Sequence, residues 1–264
     1  MDIQGHRGAR GHLPENTLPA FRLGVEMGVD TLELDVGVTR DGVVVIHHDR
    51  RLNPDVARGP DGKWVEAPAA TIFSMSFMEL RNYDVGRIRP GSEYAQRFPQ
   101  QRPLDGTRIP RLSEILDFKV RFNIETKLLP EAPQETLGPE AFARALVAEL
   151  RKAGAERRAT IQSFDFRTLK VVEREAPEIE TVYLTSGKDS APEKLRAAGA
   201  RIWSPDFRDL DREKVAAAHA MGIRIIAWTV NEPADIARMF EWGIDGIISD
   251  YPDRVIELTK RKRP

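Results

Sequence analysis

Two histidines at the ends of predicted strands suit proton-transfer chemistry. His6 follows the run DIQG, and His48 ends the run VVVIHH. Histidine exchanges protons near neutral pH more readily than other side chains, so the pair suits general acid–base catalysis. Alternation alone does not decide whether His47 or His48 faces inward, because the preceding residues are apolar on both faces of the strand. Asp49 follows His48 and is placed to orient its ring.

Three carboxylates are predicted to share the inward faces of two other strands. In TLELDV the period of two places Glu33 and Asp35 on one face, and in FNIETK it places Glu125 and Lys127 on one face. Like charges inside a protein need a cation or a proton between them. Taken singly, each carboxylate is explained as well by an ion pair with an arginine, but together they suit Mg²⁺ or Ca²⁺.

Positive charge is predicted beside these carboxylates. Arg7 adjoins His6 and offers a planar fork that matches a phosphoryl group, and Lys127 adds a second cation. A phosphoryl transition state spreads negative charge over its oxygens, so this combination has a chemical purpose. Trp228, in AWTVN, fits either a substrate wall or the core. The other histidines are expected to be structural or exposed: His12 and His219.

The elements that position these residues alternate along the chain between short strands and amphipathic helices. Four helix-to-strand joints carry a glycine suited to a left-handed cap: Gly28, Gly199, Gly222 and Gly243. Repeated βα units imply parallel strands, and about eight of them fit a closed barrel better than an open sheet. The predicted fold class is therefore an α/β protein, a (β/α)8 TIM barrel, with the doubly wound sheet as the alternative.

The segment after His6 is predicted to turn sharply into the first helix. Gly8 permits a tight exit from the first strand. Pro14 restricts the backbone in PENT, and Asn16 is expected to be the helix N-cap.

Residues 50–111 interrupt the alternation of strands and helices. They are rich in Pro, Gly, Arg and Gln and contain no long periodic element. A structureless loop of this length is unusual in a compact domain. The sequence therefore predicts a small inserted subdomain or lid after the second strand region, near the site, within a single domain of residues 1–264.

Composition excludes several classes of function. The chain has a formal net charge of -1, no cysteine, 41% hydrophobic and 31% charged residues. These values give no sign of a nucleic-acid partner, and they exclude disulfides and thiolate metal sites. With neither a signal-peptide pattern nor an apolar run of membrane length, the expectation is a globular cytoplasmic protein without membrane insertion. The basic tail LTKRKRP is expected to be a solvated C-terminus, and no oligomeric state is predicted.

Several motifs resemble, in the same order, those of the glycerophosphodiester phosphodiesterase family. They are HRGARGHLPENTLPAF, GVDTLELDVGVTRDGVVVIHHD, IPRLSEIL, NIETK, IQSF, WTVN and ISDYP. The resemblance covers nearly the whole chain. It implies a (β/α)8 barrel with a small inserted subdomain after the second strand region. It also implies a divalent-metal-dependent hydrolase that converts small glycerophosphodiesters into sn-glycerol 3-phosphate and an alcohol such as choline or ethanolamine.

The resemblance also implies roles for individual residues. The general acid and base are His6 and His48. The ligands of one divalent cation, Mg²⁺ or Ca²⁺, are Glu33, Asp35 and Glu125. The substrate contacts are Arg7 and Lys127 at the phosphate and Trp228 near the glycerol.

One departure from the family pattern lies at the start of the insertion. Many members carry LDRT after the HD pair, where this chain has LNPDVARGPDG, which leaves the leaving-group contacts open. Two other functions stay open as well. One is a phospholipase D-like enzyme that uses the same site on lysophospholipids, and the other is a non-catalytic barrel that binds a phosphodiester.

Overall fold

Short, mostly apolar runs form the strands of this protein, whose computed structural model describes residues 1–262. The strands are β1 (Asp2–Gly5), β2 (Thr31–Val38), β3 (Val44–Ile46), β4 (Arg121–Thr126), β5 (Ala159–Ser163), β6 (Glu180–Thr185), β7 (Ile202–Pro205), β8 (Arg224–Ala227) and β9 (Gly246–Ser249). All except β3 pair in parallel, and β1 closes the ring by pairing with both β2 and β9. The predicted TIM barrel is confirmed, and this closure excludes the doubly wound sheet.

Helices follow the barrel strands in the expected βα order, and two short ones lie within residues 50–111. The helices are α1 (Leu18–Met27), α2 (Phe77–Leu80), α3 (Glu93–Arg97), α4 (Pro139–Lys152), α5 (Phe166–Glu175), α6 (Pro192–Ala198), α7 (Arg212–Ala220), α8 (Pro233–Trp242) and α9 (Pro252–Lys262). The four predicted glycine caps all adopt left-handed φ angles, from 75° to 93°. In the described range no helix has the length and apolar content needed to cross a membrane.

The start of α1 differs from the sequence prediction. Thr17, rather than Asn16, is the N-cap, because its side-chain oxygen accepts a hydrogen bond from the backbone N–H of Ala20. Asn16 itself has a φ of 55°, and its side-chain amide donates to Asp35 at 2.9 Å. The asparagine side chain therefore binds a carboxylate inside the barrel, and the threonine beside it caps the helix.

The C-terminal helix takes up most of the basic tail. α9 runs to Lys262, and Leu258 packs partly buried against the main core. The predicted solvated tail is therefore helical as far as Lys262, and residues 263–264 lie outside the described range.

Strand alternation separates the core from the barrel interior as predicted. Leu32, Leu34 and Val36 of β2 are fully buried in the main core between the barrel and its helices. Burying a side chain of this size stabilises the fold by about 1.5–3 kcal/mol. Glu33 and Asp35 point to the opposite face, inside the barrel, where they are also buried.

The barrel interior has two unlike halves. The half formed by β6 to β9 is filled by an apolar cluster of Val182, Ile202, Ile226 and Ile248. The half formed by β1, β2, β4 and β5 holds hydrogen-bonded polar side chains instead. Chemistry-bearing side chains are therefore concentrated on one side of the barrel.

Residues 50–111 pack on the antiparallel strand β3. An apolar cluster joins Val45 of β3 to residues of the segment: Leu52, Ala57, Ala69, Ile72, Phe77, Leu80, Val85 and Ile109. A second cluster joins Val56 to Tyr94 of α3 and to Phe98, which follows that helix. The segment thus has apolar contacts of its own outside the barrel, in keeping with the predicted subdomain or lid, which stays a prediction.

Candidate active site

The three predicted carboxylates meet inside the barrel between β2 and β4. Glu33, Asp35 and Glu125 each offer an oxygen within 4.8 Å of the others, and all three residues are buried. β2 and β4 are parallel neighbours in which Asp35 pairs directly with Glu125, so strand register brings the carboxylates together. Lys127 lies 2.7 Å from the Oε1 of Glu125 and 3.5 Å from the Oδ1 of Asp35.

Crowding of negative charge separates the pKa values of these carboxylates. Burial and the neighbouring carboxylates Asp35 and Glu125 raise the pKa of Glu33 well above its usual range. Burial raises the pKa of Glu125 to about 7, against the opposing effect of Lys127. Burial is the largest single effect on Asp35 and opposes its ionisation, but the neighbouring positive charges, led by Arg7, together outweigh it and hold the pKa of Asp35 well below its usual range. Without a further cation, the cluster therefore favours retaining a proton.

His6 is held rigidly at the end of β1. Its Nδ1 lies 2.7 Å from the Oδ1 of Asp250, which also accepts a hydrogen bond from Arg10 Nε at 2.7 Å. Two groups compete at Nδ1: the carboxylate of Asp250 only accepts and favours a proton there, while Arg10 Nη2, 3.1 Å away, only donates. The shorter contact with Asp250 favours the proton on Nδ1, and Nε2 faces Glu33 Oε2 at 3.8 Å. Burial and the charge of Arg10 lower the pKa of His6 to about 4.

His48 is held by residues at the start of the inserted segment. Its Nδ1 lies 2.8 Å from the Oδ1 of Asp49, while Asn53 donates to the other oxygen of Asp49 at 2.6 Å. The Nε2 of His48 lies 3.1 Å from the Nζ of Lys127. Burial and the charge of Arg7 lower the pKa of His48. The neighbouring His47 instead places its Nδ1 against the backbone oxygen of Asp49 at 2.8 Å, so His48 is the histidine of this pair that lines the cavity.

Arg7 reaches the cluster from a left-handed turn. The residue has a φ of 51° and the following Gly8 a φ of 89°. A Cβ on Gly8 would lie 2.6 Å from the backbone of Ala20, so only glycine fits between this turn and α1. The turn points the backbone N–H of Arg7 at Glu33 Oε2, 3.1 Å away.

The guanidinium of Arg7 is shared by two carboxylates. Its Nη1 donates to Glu15 at 2.7 Å, and its Nε lies 3.2 Å from Asp35. The hydroxyl of Tyr94, from α3, also donates to Glu15. The inserted segment therefore contacts the residue that fixes Arg7.

A cavity of about 960 Å³ opens over these groups. Trp228 and Phe164 form an apolar wall, with ring centroids 5.7 Å apart in an edge-to-face contact. The indole N–H of Trp228 donates to the backbone oxygen of Ser204 at 2.9 Å, which leaves its ring half-buried beside the cavity. The inserted segment supplies another wall, made of Asn53, Asp55, Glu93, Tyr94, Gln96 and Arg97.

The structure gathers every predicted site residue around this cavity except Asp35, which lies just beneath it within the carboxylate cluster. His12 and His219 pair instead with Asp253 and Asp245, at 2.9 Å and 3.0 Å, and do not line it.

Sequence reasoning missed several residues that support the site: Arg10, Glu15, Gln162, Asn231 and Asp250. Asp250 had a usable signal, because it directly follows the last barrel strand, where barrel enzymes place functional side chains. Arg10 gave no periodic signal, since it lies in a loop.

The donor set fits a hard divalent cation. The three oxygens come from separate carboxylates, lie within 4.8 Å of one another and are buried. Hard cations such as Mg²⁺ and Ca²⁺ prefer oxygen ligands of this kind. The two nearest cations, Arg7 and Lys127, leave the negative charge of the three carboxylates incompletely compensated.

Fold and site together define a TIM-barrel enzyme whose strand-end site suits a phosphate ester. The sequence matches the Glycerophosphoryl diester phosphodiesterase family over residues 6–254. The chain therefore belongs to that family and is an enzyme of that type.

Relatives and solved structures agree with this placement. A glycerophosphodiester phosphodiesterase of Bacillus subtilis (strain 168) is 30% identical, over 97% of this chain and 85% of the relative. A crystal structure from Silicibacter pomeroyi DSS-3, provisionally described as a glycerophosphoryl diester phosphodiesterase, is 35% identical with a TM-score of 0.94, over 99% of this chain and 93% of that one. An Oleispira antarctica phosphodiesterase, solved in complex with its product sn-glycerol-3-phosphate, is 25% identical with a TM-score of 0.79, over 98% of this chain and 97% of that one.

Proposed function

We propose that this protein hydrolyses glycerophosphodiesters to sn-glycerol 3-phosphate and an alcohol, with the help of one divalent cation. The observation that carries the proposal is the placement of His6 and His48 on one cavity with the carboxylate cluster between them and two cations beside it. The product bound by the Oleispira antarctica relative supports the same substrate class.

The two histidines are the proposed proton carriers. One takes the proton of the attacking hydroxyl, and the other gives a proton to the oxygen of the departing alcohol. In each ring the neighbouring aspartate keeps the proton on Nδ1, so Nε2 is the nitrogen that exchanges protons with substrate. Water contributes its hydroxyl to the phosphate and its remaining proton to the alcohol, which balances the reaction.

Arg7 and Lys127 are the proposed phosphate contacts. Both lie at the carboxylate cluster, so they place positive charge where the transition state gathers negative charge on phosphoryl oxygens. Glu33, Asp35 and Glu125 are the proposed cation ligands, and a bound Mg²⁺ or Ca²⁺ would act as a Lewis acid towards the phosphoryl group.

The cavity walls suit a small polar diester. Trp228 and Phe164 offer an apolar face for the glycerol carbons. The opposite wall, from residues 50–111, is largely polar and charged where the alcohol group would lie. This polarity favours a small hydrophilic alcohol over the acyl chain of a lysophospholipid.

The test is an enzyme-coupled assay for glycerol 3-phosphate released from glycerophosphocholine, first with EDTA and then with Mg²⁺ or Ca²⁺ restored. We expect activity to disappear with EDTA and to return with one of the cations. Glu125→Gln should remove most of it, whereas the control Glu180→Gln, at an exposed strand start on β6, should not.

Absence of release from folded protein with either cation would contradict the proposal. Release from a long-chain lysophospholipid alone would replace it with a lysophospholipase D activity. Tight phosphodiester binding without turnover would identify a non-catalytic barrel. The cytoplasmic location stays a prediction, for which cell fractionation is the check.

A further inference from the structure

A continuous line of hydrogen-bonded side chains crosses the polar half of the barrel interior. Gln162 donates its amide to Glu33 Oε1 at 2.6 Å and accepts at Oε1 from Asn123 at 3.0 Å. Asn123 also donates to Gln4 Oε1 at 2.9 Å, and Gln4 donates to Asp2 at 2.9 Å. The line thus connects the carboxylate cluster with the opposite end of the barrel.

Charge at the two ends fixes the direction of every amide in this line. Asp2 is a carboxylate, so Gln4 must turn its N–H towards it and its oxygen towards the middle, and an ionised Glu33 requires the same of Gln162. Both glutamine oxygens then face Asn123, whose NH₂ group supplies the two N–H donors that they need. The side-chain oxygen of Asn123 accepts from Thr160 Oγ1 at 2.9 Å, and the asparagine cannot reverse without losing both bonds to the glutamines.

The orientation of Gln162 matters because it determines what Glu33 meets. With its N–H towards Glu33, the glutamine completes a pair of donors with the backbone N–H of Arg7, one on each carboxylate oxygen. Reversed, it would place a carbonyl oxygen 2.6 Å from Glu33, which is repulsive when Glu33 is ionised as a cation ligand. Asn123 is fully buried and does not line the cavity, so its effect on Glu33 passes through Gln162.

We propose that Asn123 is a positioning residue of the cation site, which acts through the amide of Gln162 to hold Glu33 in its ligand geometry. The inference rests on the proposed function, because it assumes that Glu33 binds the cation. Loss of a residue that orients a metal ligand typically weakens metal affinity by about 10- to 100-fold.

The line contains its own matched control. Gln4 and Gln162 have the same side chain, the same 1% exposure and the same bond to Asn123, but Gln4 leads away from the cation site to Asp2. Substitution of Gln4 should therefore destabilise the protein about as much as substitution of Gln162. Unlike the latter, it should leave the affinity for the cation unchanged.

The test is isothermal titration of the whole protein with Mg²⁺ and with Ca²⁺, together with thermal unfolding of every variant. We expect Asn123→Leu and Gln162→Met to raise Kd about tenfold or more, and Gln4→Met to leave it within about twofold. The double variant Asn123→Leu/Gln162→Met should bind no more weakly than Gln162→Met alone, because residues acting in series are not additive.

The possible results separate a failure of this inference from a failure of the proposed function. Wild-type affinity in Asn123→Leu, equal weakening in Gln4→Met, or additive losses in the double variant would overturn the inference and leave the proposed function intact. A wild-type protein that binds neither cation would overturn both. If Asn123→Leu fails to fold, Asn123→Ser, which retains a single hydroxyl donor, takes its place with the same expected weakening.

Discussion

His6 and His48 occupy similar local arrangements in two very different parts of the molecule. The Nδ1 of each ring lies against an aspartate oxygen, at 2.7 Å for His6 with Asp250 and 2.8 Å for His48 with Asp49. In each case an asparagine amide donates to the second oxygen of that aspartate. The same tautomer is therefore imposed twice, on opposite sides of the carboxylate cluster.

Their surroundings differ in exposure and origin. The side chains of His6 and Asp250 are 11% and 2% exposed, and these residues directly follow the first and last barrel strands. Those of His48 and Asp49 are 30% and 37% exposed, and these residues directly precede the inserted segment. Arg10 further fixes Asp250. The barrel thus holds one ring rigidly, while the other sits where the chain departs from the barrel.

This difference indicates a division of labour. Burial and Arg10 lower the pKa of His6 to about 4, which keeps Nε2 free to accept a proton at neutral pH. Burial and Arg7 lower the pKa of His48 as well, so its role follows from its position: it adjoins the wall formed by residues 50–111, where the alcohol group would lie. We expect His6 to act as the base and His48 as the acid that protonates the alcohol.

The largest expected effect is loss of the rings themselves. His6→Ala and His48→Ala should each lower kcat by about 10²- to 10⁴-fold, the usual contribution of a general acid or base. The measurement is glycerol 3-phosphate release at saturating cation. His219→Ala is the matched control, since that histidine pairs with Asp245 away from the cavity. Wild-type turnover in either cavity variant would remove that ring from the mechanism.

A change of leaving group separates the two roles. A glycerophosphodiester of p-nitrophenol releases a stable anion that needs no proton, so the general acid becomes dispensable. We expect this substrate to restore most of the activity of His48→Ala and little of that of His6→Ala. The readout is the ratio of kcat for the nitrophenyl and choline esters in each variant. The reverse pattern would exchange the two roles.

Substitution of the more buried aspartate, Asp250, should lower kcat more than substitution of Asp49. Asp250→Asn removes the negative charge that selects the His6 tautomer and pairs with Arg10, so we expect kcat to fall about 10²-fold. Asp49→Asn alters a partly exposed pair, and we expect a loss of about tenfold. Steady-state kinetics with unfolding curves test this order, and equal losses would contradict the contrast between a rigid and an exposed ring.

The sequence was sufficient to predict the site residues whose positions follow from the alternation within a single strand. The period of two placed Glu33, Asp35, Glu125 and Lys127 on inward faces, and the structure puts them together. The four cap glycines and the closed barrel followed from repeated βα units in the same way.

Contacts between residues distant in sequence were beyond such patterns. Asp250 reaches His6 across 244 positions, and Gln162 reaches Glu33 across 129, because barrel closure and strand order bring them together. Strand periodicity describes one strand at a time, so it cannot pair residues on different strands. Asn16 shows that local patterns can also mislead. Its residue type predicted a helix N-cap, but its side-chain amide donates to Asp35 instead.

The smallest expected effect concerns stability rather than turnover. The pKa of His6 is about 4 in the folded protein, against 6.5 when the chain is unfolded. Between these values the unfolded chain binds a proton that the folded protein does not. The free energy of unfolding should therefore fall as the pH drops from 6.5 to 4, by at most about 1.4 kcal/mol per pH unit from this group.

His6→Ala should remove that contribution, so its free energy of unfolding should depend less on pH than that of the wild type in the same window. The measurement is urea unfolding between pH 4.5 and 7.5 in the presence of EDTA. His48→Ala is the comparison: its ring is more exposed, so we expect it to flatten the profile less. Equal flattening by both variants would mean that the two rings are desolvated alike, and the division between a buried base and an exposed acid would lose its physical basis.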